Sequence, residues 1–98
     1  MQIAKTILQQ LGGNKFIAMT GSKNFLAMEN GIRMNLVPNR SGAKWLKIKL
    51  NAMDTYDIEF FSVKRGTSDI VIKAKFKGIY CDQLQQIFTQ VTGLYTRL

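Results

Sequence analysis

The segment from Lys44 to Lys77 contains three runs that decide the fold: KWLKIKL (44–50), YDIEFFSV (56–63) and IVIKAKFK (70–77). In the first run, aliphatic residues alternate with a tryptophan and two lysines. One side carries Leu46, Ile48 and Leu50, and the other carries Trp45, Lys47 and Lys49. Alternation with a period of two is typical of half-buried antiparallel strands. The segment therefore predicts three linked strands with one apolar face and one lysine-rich face.

The same alternation continues in the third run. It predicts a core-facing side formed by Ile70, Ile72, Ala74 and Phe76, and a solvent-facing side formed by Val71, Lys73, Lys75 and Lys77. The connections at 51–55 and 65–69 predict turns. A hairpin folded symmetrically about Met53 pairs Lys49 with Asp57, Lys47 with Glu59, and Trp45 with Phe61.

The flanking segments predict helices at both ends and further strands between them. Ile3, Ile7 and Leu11 lie on one side of an amphipathic first helix, which Gly12-Gly13 ends. The range 15–20 reads as a strand with apolar residues on both sides. A last helix is expected to begin near Asp82 as its N-cap, and Gly93 fits the position after its end.

Asn30-Gly31 predicts a tight hairpin between 25–29 and 32–37, because a type I′ turn needs positive φ at both central residues. This turn would pair Ala27 with Met34 and Phe25 with Leu36. The whole chain, 1–98, therefore predicts one α+β domain. Its sheet would be an antiparallel meander of five to six strands, with the N-terminal and C-terminal helices packed on one face.

Composition narrows the classes of function. Fourteen Lys/Arg against six Asp/Glu give a net charge of +8, which favours polyanionic partners. Histidine is absent and Cys81 is the one cysteine, so neither a Cys–His pair nor an ordinary zinc site can form. We therefore expect a non-enzymatic protein without cofactor or metal. No run approaches the about 20 apolar residues of a membrane span, so a cytoplasmic location without membrane contact is expected.

The predicted lysine face is the candidate binding surface. Its members are Trp45, Lys47, Lys49, Phe61, Lys73, Lys75 and Lys77. Lysines beside an exposed Trp45–Phe61 pair are typical of sheets that bind single-stranded nucleic acid by stacking and phosphate contacts. Lysines flanking Asp57 and Glu59 are equally explained by cross-strand pairing that fixes the register.

Two other interpretations of this surface remain. Phe61 and Val63 make one end of the solvent-facing side apolar, which suits a contact with an acidic protein. Apolar residues on both sides of the ranges 15–20 and 25–37 also favour a homo-oligomer of regulatory or structural role. The basic charge could equally serve solubility alone.

Three segments carry a resemblance to known proteins: the run from Leu8 to Phe25, LQQLGGNKFIAMTGSKNF; MDTYD at 53–57; and TGLYT at 92–96. Together they resemble a group of small proteins of phages and other mobile elements, for which no activity is assigned. The resemblance implies a mobile-element setting, in which small proteins bind DNA or modulate another protein. It supplies no catalytic or binding residues.

Overall fold

The computed structural model describes residues 2–94. Along the chain, two helices come first, five strands follow, and a 3-10 turn leads into a last helix. The elements are α1 (Gln2–Leu11), α2 (Asn14–Thr20), β1 (Lys23–Met28), β2 (Gly31–Asn35), β3 (Trp45–Leu50), β4 (Tyr56–Val63), β5 (Ile70–Ile79), a 3-10 turn (Cys81–Gln83) and α3 (Leu84–Thr92).

The strands form one antiparallel sheet in the order β1-β2-β3-β4-β5, so each strand pairs with its neighbour in sequence. This confirms the predicted α+β meander, with five strands. The helices cover one side of the sheet, here called the inner face, and the core lies between them. In that core the rings of Phe88 and Phe16 pack edge to face with their centroids 4.9 Å apart, and the centroids of Phe88 and Phe60 are 6.3 Å apart.

The pairing of β3 with β4 has the predicted register. Trp45 lies opposite Phe61, Lys47 opposite Glu59, and Lys49 opposite Asp57. Leu46 and Ile48 are buried on the inner face, as the alternation requires. The period of the sequence and the turn at 51–55 therefore agree on one register, and that register determines which side chains reach solvent.

The range 15–20 is helix α2, so the predicted strand is wrong. Phe16 and Thr20 are its buried residues, four apart on one helical face, and the Thr20 hydroxyl donates to the Phe16 carbonyl at 2.7 Å. Ala18 and Met19 face solvent. A short apolar run has no period long enough to separate helix from strand, which explains the error.

The first hairpin turns at Glu29-Asn30, one position earlier than predicted, and Gly31 is the first residue of β2. Ala27 consequently pairs with Ile32 rather than Met34. This shift of two residues preserves the predicted faces. Gly31 is needed for another reason: a β-carbon there would lie 2.0 Å from the Ile48 carbonyl oxygen of β3. The glycine permits close approach of two strands rather than a left-handed turn.

β5 departs from the predicted alternation. Phe60 pairs with Ala74 but Phe61 pairs with Ile72, which leaves Lys73 as an extra, bulged residue. One inserted residue inverts the faces on either side of it. Ile70 and Ile72 therefore lie on the side of Phe61, away from the helices, and their predicted core-facing orientation is wrong.

The C-terminal helix begins later than predicted. Asp82 lies inside the 3-10 turn, and the side chain of Gln83 accepts the Tyr80 N–H at 3.0 Å, so Asp82 is not the N-cap. Leu84, Ile87 and Phe88 form the expected buried stripe. Gly93 ends the helix in the left-handed region with φ 77°, as predicted. Leu94 packs against the core, and residues 95–98 lie outside the described residues.

The close approach at Gly31 generates a stability prediction. Gly31→Ala should lower the free energy of unfolding by about 3 kcal/mol or more, because the added methyl overlaps a backbone oxygen that cannot move independently of its strand. Gly66→Asn is the control, since the space around Gly66 is open and asparagine tolerates its positive φ. Urea unfolding measures both variants. Equal stability of Gly31→Ala and the wild-type protein would contradict the close approach of β2 and β3.

Candidate binding surface on the outer face of the sheet

The side of the sheet opposite the helices, here called the outer face, presents side chains in rows that cross the strands. Because paired residues project to the same side, the rows follow directly from the register. The charged row is Leu26, Arg33, Lys47, Glu59 and Lys75; the aromatic row is Asn35, Trp45, Phe61 and Ile72; a third row contains Lys49 and Asp57.

Glu59 is the centre of the charged row. Its carboxylate contacts Lys47 Nζ at 3.0 Å on one side and Lys75 Nζ at 3.4 Å on the other. These ion pairs confirm the cross-strand pairing predicted from the sequence. The hydrogen bond from Lys47, supported by the charges of both lysines, lowers the pKa of Glu59 despite its partial burial. The carboxylate therefore stays ionised, which disfavours a role as a general acid beside Asp57.

Lys49 has a different environment. It lies opposite Asp57 in the register, but the Asp57 carboxylate accepts the side-chain N–H of Asn51 at 3.0 Å. Asn51 also holds the β3–β4 turn, since its side-chain oxygen accepts the Met53 N–H at 2.8 Å. Within residues 2–94, Lys49 forms no ion pair, and its exposed ammonium group is open to a ligand.

The two aromatic rings of the outer face lie side by side. Trp45 and Phe61 have ring centroids 6.4 Å apart and planes 11° from parallel, which is the predicted cross-strand pair. Phe61 is only 6% exposed, so the prediction that both rings are exposed is wrong for this residue. Trp45 remains half-buried. Phe61 is covered because it lies inside the aromatic row, between Trp45 and Ile72.

Arg33 is the member of this surface that sequence reasoning missed. Its guanidinium carbon lies 5.0 Å from the Trp45 ring centroid, a cation–π interaction. β2 places Arg33 opposite Lys47 and diagonal to Trp45. A loop connects β2 to β3, so no tight turn specified this register. The signal that could have found Arg33 was its position on the partly polar side of the predicted hairpin.

Lys73 and Lys77 occupy different places on β5. A β-carbon at Gly42 would lie 3.7 Å from Lys73 Cε, so the bulged Lys73 reaches the loop between β2 and β3 instead of the charged row. Lys77 is exposed and lies in a second irregularity of the β4–β5 ladder, where Lys77 and Gly78 together span the position opposite Asp57, so Lys77 lies beside the third row. The structure therefore brings together Trp45, Lys47, Lys49, Phe61, Lys75 and Lys77, adds Arg33, and leaves Lys73 apart.

One end of the outer face is apolar. Val63 is 43% exposed, and Ile70 and Ile72 are 62% and 46% exposed. Val63 pairs with Ile70, and Ile72 pairs with Phe61, so the four side chains adjoin one another. The sequence indicated this end through Phe61 and Val63. The two isoleucines join it only because the bulge at Lys73 turns them outward.

Comparison with protein-family models, with curated proteins and with solved structures finds no match for this chain. The mobile-element setting therefore stays a prediction. Among residues 2–94, no three His, Cys, Asp or Glu side chains cluster so that they could hold a metal ion. None of the helices in that range has the length and apolar character needed to cross a membrane.

The lowered pKa of Glu59 generates a prediction about pH. The ionised Glu59 carboxylate stabilises the folded protein fully above its ordinary pKa of 4.5. This stabilisation is lost as pH falls through the lowered pKa of Glu59 in the folded protein. Glu59→Gln should lower the unfolding free energy at pH 7 by about 0.2–1 kcal/mol for each ion pair removed. Urea unfolding at pH 7 and pH 3 tests this. The difference in unfolding free energy between the two proteins should be smaller at pH 3 than at pH 7, and a difference of the same size at both pH values would contradict the electrostatic origin.

Proposed function

We propose that this protein is a small non-enzymatic binding protein that takes single-stranded nucleic acid on the outer face of its sheet. The observation that carries the proposal is the charge of that face. On β2–β5 it presents the cations Arg33, Lys47, Lys49, Lys75 and Lys77 against the carboxylates Asp57 and Glu59. No helix covers these side chains within the part of the chain that the structure describes, so a long ligand can lie across several strands.

The surface suits phosphates and bases in different places. Lys49 and Lys77 are exposed and supply cations for phosphate groups. Trp45 supplies a half-buried ring with Phe61 on one side and Arg33 over its face. A base that stacks on Trp45 displaces the Arg33 guanidinium, which then pairs with the adjoining phosphate. Base–aromatic stacking contributes about 1–3 kcal/mol, enough to offset a cation–π interaction of about 0.5–1 kcal/mol.

An acidic protein is the competing ligand class. A sheet with ionised carboxylates among lysines presents point charges that a glutamate-rich segment can also satisfy. What favours nucleic acid is Trp45, because a planar ring beside phosphate-binding cations contributes affinity for bases and none for carboxylates. The test must therefore measure the environment of Trp45 as well as charge.

Fluorescence of Trp45, the single tryptophan, tests the proposal directly. We expect saturable quenching by single-stranded oligonucleotides that is stronger than quenching by duplexes and weakens as salt rises. The variant Lys49→Ser/Lys75→Ser/Lys77→Ser should bind much more weakly, because it removes three outer-face cations but keeps the Lys47–Glu59 ion pair. Its log affinity should depend less steeply on log salt, by about 0.7 for each phosphate that the variant no longer neutralises.

The control variant Lys5→Ser/Lys15→Ser/Lys64→Ser removes the same charge from exposed positions on α1, on α2 and just beyond β4. It should bind nearly as well as the wild-type protein. Equal weakening in the two triple variants would mean that net charge alone attracts the ligand, which would overturn the assignment to the outer face. Binding of polyglutamate with no Trp45 response to oligonucleotides would overturn the proposal in favour of an acidic protein.

A further inference from the structure

Among residues 2–94, β1 and β5 form the two edges of the sheet, and these edges differ. β1 has six residues and an irregularity between Lys23 and Leu26, with Asn24 at φ 56°. β5 has ten residues. Edge strands expose unpaired backbone groups, and proteins protect them with lysines and bulges. The bulged residue Lys73 and the lysines beyond it protect the later part of β5. Ile70-Val71-Ile72 carries neither device, although its side chains are 62%, 39% and 46% exposed.

Backbone hydrogen bonds show which residues of this edge are available for pairing. The Lys64 N–H donates to the Asp69 carbonyl at 2.7 Å, at the end of the β4–β5 ladder. Hydrogen-bonded and non-hydrogen-bonded pairs alternate in an antiparallel ladder. Ile70 and Ile72 therefore occupy non-hydrogen-bonded positions, and their N–H and C=O groups point away from β4. The Phe61 carbonyl agrees, because it accepts from Lys44 at 3.0 Å on the opposite side.

The sequence of this edge is complementary to itself. In antiparallel alignment about Val71, the segment Asp69-Ile70-Val71-Ile72-Lys73 places Ile70 opposite Ile72 of a second copy. Asp69 of one copy falls next to the bulged Lys73 of the other, so opposite charges lie near each other where the paired segment ends. Ile70 and Ile72 are also the residues with outward backbone groups, so the hydrogen bonds and the side chains select the same register.

We propose that two copies of this chain pair antiparallel through Ile70–Ile72, about a two-fold axis at Val71, and form one continuous sheet. Ile70 and Ile72 of both copies would then form, with Phe61 and Val63, one continuous apolar strip across the dimer interface on the outer face, here called the seam. An unrelated acidic strand would satisfy the lysines but gains nothing from the symmetric arrangement of Asp69 and Lys73. The net charge of +8 on each copy opposes association, so the dimer should tighten as salt rises. This inference does not depend on nucleic-acid binding.

Cysteine cross-linking tests the register. In a Cys81→Ser background, Val71→Cys should form an intermolecular disulfide readily, since the symmetric non-hydrogen-bonded pair brings the two Cα atoms to about 4.5 Å. Ile70→Cys alone and Ile72→Cys alone are matched controls: each lies offset from its own copy, beyond the about 7 Å that a disulfide spans. A mixture of the two controls should cross-link to each other. Equal cross-linking of all three single variants would overturn the proposed pairing.

Sedimentation velocity tests the association without cysteines. The wild-type protein should shift with concentration from the 11.1 kDa monomer towards twice that mass. Ile72→Lys should weaken dimerisation about tenfold or more, because the seam would bury an unpaired charge. Met53→Lys is the control, since Met53 is 82% exposed at the β3–β4 turn and away from the edge. Circular dichroism verifies that both variants fold. A wild-type protein that stays monomeric at the highest attainable concentration would overturn the inference.

Discussion

The pairing of β3 with β4 is the constraint on which the rest of the structure depends. Its register sends Leu46, Ile48, Ile58 and Phe60 into the core, where they are at most 2% exposed. The same register assembles the outer face, because the lysines, carboxylates and rings that these two strands present there alternate with those buried side chains. A slip of one residue would put lysines under the helices, at a cost of several kcal/mol for each uncompensated charge. The hydrophobic core and the candidate binding surface are thus two results of one alignment.

Sequence reasoning succeeded where alternation is long and a turn agrees with it. β3, β4 and α3 each have one clear period, so their faces and the opposition of Trp45 to Phe61 could be predicted. It failed for α2, whose seven residues are too few to show a period, and for the turn at Asn30-Gly31. There the local preference of glycine for a turn competes with the close approach of β3, which is distant in sequence. Only the folded sheet reveals that Gly31 is needed for its missing side chain.

The candidate surface was predictable in the same uneven way. Trp45, Lys47 and Lys49 could be placed because β3 is a regular strand, and Lys75 because the short stretch 74–76 pairs regularly with 58–60. Lys73 and Arg33 could not. A bulge leaves no signature in an alternating run of apolar and lysine residues, so the displacement of Lys73 appears only in the register of β4 with β5. Arg33 depends on the pairing of β2 with β3 across a loop, whose length does not specify an alignment.

Glu59 gives the outer face a property that the count of charges alone does not reveal. Its carboxylate oxygens already form ion pairs with Lys47 Nζ at 3.0 Å and with Lys75 Nζ at 3.4 Å. It therefore acts as an intramolecular competitor for any anion that approaches these two lysines. A ligand with one isolated negative charge would only replace the Glu59 carboxylate at these lysines, so it would gain little binding free energy. A ligand with closely spaced charges can engage Lys49 and Lys77 first and displace Glu59 afterwards. If the outer face binds an anion as proposed, Glu59 therefore sets the charge density that the ligand must exceed in order to reach Lys47 and Lys75.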